Sequence, residues 1–168
     1  MNSSMYQSLV PTCQRTLTNL AAILETAATH AESRKIEPSS LLDARLFPDM
    51  FPLKKQIQVA TDSASGGVAR LAGIEVPQFE HNETTFAELG ARIRKTLGWL
   101  QAIQPAQIDG SEDRTVTWQT RSSTKSMQGQ AYVFNHVLPN VFFHVTTAYN
   151  ILRHNGVVIG KMDFLGRS

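Results

Sequence analysis

Cysteine is almost absent from this chain. Cys13 stands alone, so no internal disulfide can form, and nothing beside it in sequence suggests a redox pair. With no activating neighbour it reads as a small buried hydrophobe. No apolar run approaches the ~18–20 residues that a membrane-spanning helix needs. Charge of one sign is also lacking: 16 Lys and Arg face 14 Asp and Glu, a net of +2. The basic residues are scattered, with Arg92, Arg94 and Lys95 as a small cluster, and no concentrated basic face points to nucleic acid. The opening MNSSMYQSLVPTCQ has neither a positive n-region nor a long apolar h-region, so a cytoplasmic, reducing location is expected. Neither G-x-S-x-G, nor a P-loop, nor a dinucleotide glycine fingerprint occurs. Internal repeats and low-complexity segments are missing too. The length, 168 residues, suits a single domain over residues 1–168 with one core.

What is present is helical periodicity. From about Ser4 to Ser33, Leu9, Cys13, Leu17, Leu20 and Leu24 recur at three- and four-residue steps. Pro11 implies either a separate short opening helix or a kinked first turn. A proline-containing connection holds a short helix around Ser39 to Ala44, and Pro52 can start a second long helix. That helix carries Leu53, Ile57, Ala60, Ala64, Val68 and Leu71 on one stripe, with Gly73 as its stop. Within it, Ser65-Gly66-Gly67 suits close helix contact rather than phosphate binding. A capping box, Thr85-Phe86-Ala87-Glu88, opens the third helix, whose face is Phe86, Leu89, Ile93, Leu97 and Leu100 and which Pro105 closes. Thr115 to Trp118 are β-branched or aromatic and Arg121-Ser122-Ser123 reads as a turn, so a short β-hairpin is expected between Arg114 and Met127. A fourth helix runs from about Gln128 to His154, with Asn155-Gly156 as its stop, and the tail VVIGKMDFLGRS is expected to be extended and packed on the bundle. The fold class is therefore all-α: a four-helix bundle with a short β-hairpin before the last helix.

The last helix carries the polar chemistry. His136, Asn140 and His144 fall at i, i+4 and i+8 in an apolar run. Val133, Val137, Asn140, His144, Thr147 and Ile151 share one side, and His136 sits at its edge. Phe142, Phe143, Leu138 and Leu152 spread around the rest, which describes a central, buried helix. His136 and His144 lie about 12 Å apart along the axis, too far to share one ion readily. Asparagine oxygen is in turn a poor ligand for zinc or nickel. A carboxylate from the second helix could complete a site, and Asp62, beside Gln58, Ser65 and Gly66, is the natural candidate. The other reading is a buried Asn140–His144 pair satisfied by its neighbours. Pro139 frees the carbonyl of Asn135, so a kink or bulge is expected there. His154 reads as a helix-end histidine on the dipole, and His30 and His81 as exposed.

Two segments carry a resemblance: LLDARLFPDMFPLKKQIQVATDSASGGVARLAG, residues 41–73, and LPNVFFHVTTAYNILRHNGVVIGKMDFLG, residues 138–166. Together with MYQSLVPTCQRTLTNL they resemble a bacterial family of unknown function within the DinB/YfiT-like metalloenzyme superfamily. The resemblance implies an up-down-down-up bundle, often a homodimer. It also implies a divalent metal, zinc or nickel, held in active members by three histidines, one on helix two and two spaced i, i+4 on helix four; relatives include thiol-cofactor-dependent isomerases and transferases. On this chain His144 falls on the second of the helix-four positions and Asn140 on the first. The helix-two position falls near Asp62 or Gln58. Only one of the three histidines is thus present. The expectation is a degenerate site lined by Asp62, Asn140, His144, His136 and Gln58. Asp62 and His144 are its candidate metal ligands; the expectation is a protein that holds no catalytic metal, and the alternative is a metal-dependent or thiol-cofactor-dependent small-molecule enzyme.

Overall fold

The computed structural model describes residues 4–120 and 122–166. The first helix, α1 (Met5–Ser33), is capped by the Ser4 hydroxyl on the amide of Gln7. It passes through Pro11 without interruption, so neither a separate opening helix nor a break forms. The ring removes one backbone donor, and the buried residues around it, Leu9, Val10 and Cys13, hold the helix against the core. A short helix, α2 (Pro38–Leu42), precedes α3 (Leu53–Ala72), which Gly73 ends in the left-handed conformation at φ 70°. Then α4 (Phe86–Gln101) starts at the expected capping box, with Thr85 accepting from the Glu88 amide and Glu88 accepting from the amide of Thr85. Pro105 opens a short α5 (Pro105–Ile108) rather than merely following α4.

Strands β1 (Thr115–Gln119) and β2 (Thr124–Gln128) pair antiparallel, with Val116 opposite Met127 and Trp118 opposite Lys125. Of the turn expected at residues 121–123, Arg121 lies outside the described residues; Thr120 and Ser123 close the loop through the Thr120 amide and the Ser123 carbonyl at 2.8 Å. The last long helix has three parts: α6 (Gly129–Tyr132), a π-helical turn (Val133–Val137) and α7 (Leu138–His154). The bulge expected at Pro139 is this π turn, which lies directly before it. Its mark is the Leu138 amide bonding the Val133 carbonyl, five residues back. The tail is extended only to Ile159. It then forms α8 (Lys161–Leu165), which packs on α1 through Asn19 Nδ2 donating to the Phe164 carbonyl at 3.0 Å.

The long helices run up-down-down-up. Each of α1 and α3 packs against both α4 and α7, around one continuous apolar core that also takes in Val116, Trp118, Val157 and Ile159. In this ring the last helix is a corner, not a central rod. Leu138 and Leu152 are buried, whereas Phe134, Phe142 and Phe143 are exposed, Phe143 by 56%. The expectation of burial all round fails because a corner helix has only two neighbours.

The tightest helix contact joins α3 to the π turn. A Cβ on Gly67 would lie 2.7 Å from Val137 Cγ2 and closer still to Cγ1, so only glycine allows this approach. Gly129 meets the backbone carbonyl of Ser111 in the same way and cannot carry a side chain there. We predict that Gly67→Ala lowers stability by about 1–3 kcal/mol, the usual range for overpacking. Urea unfolding measures it, and adding Val137→Ala should return part of the loss; independent, additive effects of the two changes would contradict this contact.

Candidate functional site

Two polar constellations lie along the seam between α3 and the last helix. The first surrounds His144, which is 8% exposed. Its Nδ1 lies 2.7 Å from Gln56 Oε1, while Gln56 Nε2 donates to the Phe51 carbonyl at 3.0 Å. A carbonyl only accepts, so the amide nitrogen of Gln56 must face Phe51 and its oxygen must accept from the imidazole. His144 therefore carries its proton on Nδ1, and Nε2 is the unprotonated nitrogen. Burial holds its pKa below the ordinary histidine value. The partner across the seam is Gln56, six residues before the expected Asp62 and on a different side of α3.

The second constellation lies where the π turn meets α3. A cavity of about 200 Å³ is lined by Asp62, Ser63 and Arg70 of α3 and by Tyr132, His136, Val137 and Asn140 of the last helix. Of the five residues expected to line one site, Asp62, Asn140 and His136 line this cavity, and His144 and Gln58 do not. Asn140 Nδ2 donates to the His136 carbonyl at 2.6 Å and lies 3.4 Å from His136 Nδ1. Asn140 therefore pairs backwards with His136, not forwards with His144. The His136 ring sits 4.5 Å from that of Trp118 and 5.3 Å from that of Tyr132, centroid to centroid. Partial burial, then the nearby Arg70 and Lys125 charges, keep His136 below its ordinary pKa. Arg70 reaches the Tyr132 hydroxyl at 3.5 Å.

Asp62 stands at the rim of this cavity with both oxygens engaged. Oδ1 accepts from Arg92 Nη2, and Oδ2 lies 2.7 Å from His81 Nε2. Arg92 is buried and fully supplied with acceptors: Nε donates to Thr61 Oγ1 at 2.7 Å, and Nη1 to the Glu80 carbonyl at 2.7 Å and to Glu83 at 2.8 Å. Burial by itself would raise the Glu83 pKa, but the bonds from Arg92 and Gln58 outweigh it and hold it below the ordinary carboxylate value. Gln58 is thus an anchor for Glu83. His81 is exposed, as expected, yet bridges Asp62 and Lys55. Arg92 was absent from the candidates, although its position gives it away: it lies between Leu89, Ile93 and Thr96 on the buried face of α4.

Residues 5–165 match a family described as a domain of unknown function, DUF1993. The chain belongs to that family. It is also similar, at 39% identity, to a DinB family member protein from Shewanella denitrificans, whose crystal structure it matches with a TM-score of 0.88 over 97% of this chain and 92% of that one. No curated protein matches the chain. The resemblance read from residues 41–73 and 138–166 is therefore upheld at the level of fold and family, and the DUF1993 description assigns no reaction.

The metal implied by the superfamily fits these residues poorly. Metal-ligating histidines usually donate their second nitrogen to an oxygen, and His144 meets that condition through Gln56. Asp62, however, is held by Arg92 and His81, and Asn140 by the His136 backbone. Among the described residues no group of three His, Cys, Asp or Glu side chains is placed to share an ion.

The two depressed histidines set a pH dependence. Each is harder to protonate folded than unfolded, so the unfolded state takes up more protons as pH falls. Their contribution is complete above the unfolded value of about 6.5 and is lost as pH drops through the folded values. Chemical unfolding at pH 7.5 and 5.5 should show lower stability at 5.5, with a shallower slope in His136→Asn; an unchanged slope would mean that His136 is not depressed.

Proposed function

We infer that this DUF1993 protein works without a catalytic divalent metal and keeps its inter-helix cavity as a small-molecule site. The observation that carries the reading is the engagement of Asp62 by Arg92 and His81, which removes the only carboxylate that the second long helix offers to His144. One oriented imidazole remains where the superfamily places several ligands, and a single neutral nitrogen is a weak site for zinc or nickel. The rival, a metal-dependent or thiol-cofactor-dependent enzyme, needs ligands that His144 does not find nearby. Cys13 offers no help to it, because burial pushes its thiol up to about 12. An unpaired, buried cysteine also suits the cytoplasm.

Protein purified without a histidine tag should contain far less than one zinc or nickel per chain, and its Tm should not move on chelation. Stoichiometric metal together with a fall in Tm on chelation would sink this reading. In metal-free buffer, His144→Ala should cost about 1–3 kcal/mol, because it strips the buried Gln56 oxygen of its donor.

A homodimer is the proposed assembly. Phe51, Phe142 and Phe143 are exposed by 45%, 39% and 56%; the Phe51 carbonyl holds Gln56, and the Phe143 ring lies 5.2 Å from that of His144, centroid to centroid. Exposed aromatics on this side suit a protein interface better than water. Light scattering should give twice the chain mass, and Phe143→Glu should shift the protein to monomer; a wild-type monomer at high micromolar concentration would refute it.

A further inference from the structure

The cavity at the π turn contains a cation with no anion of its own. Arg70 makes one long hydrogen bond, to Tyr132, and among the described residues no carboxylate pairs with it. Its guanidinium folds back toward the start of α3, as helical side chains do, into the space left by the missing side chain of Gly66. A Cβ there would lie 2.9 Å from Arg70 Nη1. Glycine at 66 thus makes room for the guanidinium over the helix, and the wider π turn opens the facing wall.

We propose that this cavity is a binding site for a small organic monocarboxylate, held by Arg70 and packed against Val137 and the rings of Tyr132 and His136. The planar guanidinium fork matches a carboxylate. The volume, about 200 Å³, lies below the ~300–1,000 Å³ of drug-sized pockets and suits an acid of a few carbons. Asp62 lines the same cavity, and its charge is only partly offset because Arg92 is shared between Asp62 and Glu83. A single negative charge paired with Arg70 is repelled less there than the double charge of phosphate. His136 fits the same picture: its Nδ1 faces the Asn140 amide donor, so the neutral ring carries its proton on Nε2 and adds no acid to the site.

This proposal rests on reading the α3–last-helix cavity as a ligand site, and its test uses no metal, so it can fail while the metal-free reading stands. The untagged protein is titrated with sodium acetate, propionate and butyrate, and with sodium phosphate and chloride at matched ionic strength, while Tm and amide NMR shifts are followed. Carboxylates should raise Tm in a saturable way and move the signals of residues 63, 70, 137 and 140. Arg70→Gln should weaken binding about tenfold or more, the scale of losing charge-assisted hydrogen bonds. Gly66→Ala gives a second variant: the new methyl displaces only the flexible end of Arg70, so the fold should hold while binding weakens. A carboxylate response that survives both substitutions in folded protein overturns the assignment. So does the absence of any response, or a response to phosphate or chloride as strong as that to the carboxylates.

Discussion

The close approach of α3 to the last helix is the contact on which the rest of the arrangement depends. Gly67 lets Val137 seat directly on the α3 backbone, and the two helices run antiparallel from that point. The register then follows: Gln56 meets His144 on one side of the contact, and Arg70 meets Tyr132 on the other. The π turn belongs to the same contact. His136, inside the turn, lines the cavity with Asp62 and Arg70, whereas His144 two turns on bonds Gln56, so the two histidines serve different parts of the seam. Pro139 makes the turn tolerable, since it has no amide to lose and Asn140 supplies a donor to the carbonyl of His136.

A second constraint comes from Arg92. Burying a guanidinium is costly unless its N–H groups are paired, and four acceptors from two segments, α3 and the connection that follows it, surround this one. Two of them, the Glu80 carbonyl and the Glu83 carboxylate, belong to the connection between α3 and α4. Phe79 from the same connection lies 5.2 Å below the guanidinium, ring centroid to carbon, and 5.1 Å from Lys95 Nζ. The connection is thereby tied across α3 and α4 by charge and stacking, not by apolar burial alone. The cost falls on Asp62, which becomes part of a structural network and is withdrawn from the ligand chemistry its position on the second long helix suggests.

Most of the fold could be read along the chain, because its signals are local. The Thr85–Glu88 box, the Gly73 stop, the apolar stripes and the β-branched run at Thr115–Trp118 each act within a turn or a strand. Even the bulge before Pro139 and the close contact at Gly66-Gly67 follow from the missing donor and the missing side chain. The polar partners were harder. Asp62 and Gln56 lie six residues apart on one helix, and nothing within that helix says which of them faces His144. Arg92 could have been found from its place in the buried stripe of α4, whereas Arg70 and His81 stand in ordinary polar surroundings that signal nothing.

By itself, then, the sequence determined where helices begin and end, which faces are apolar and where the last helix must bulge. Only the tertiary structure decided what each remaining polar group is bonded to: His144 to Gln56, Asn140 to the His136 backbone, Asp62 to Arg92 and His81, and Arg70 to an open cavity. The reason is physical. Periodicity and capping are set by neighbours a few residues away. The pairing of side chains across helices depends instead on rotation and register, which a single close contact and one extra residue in a helical turn are enough to reset.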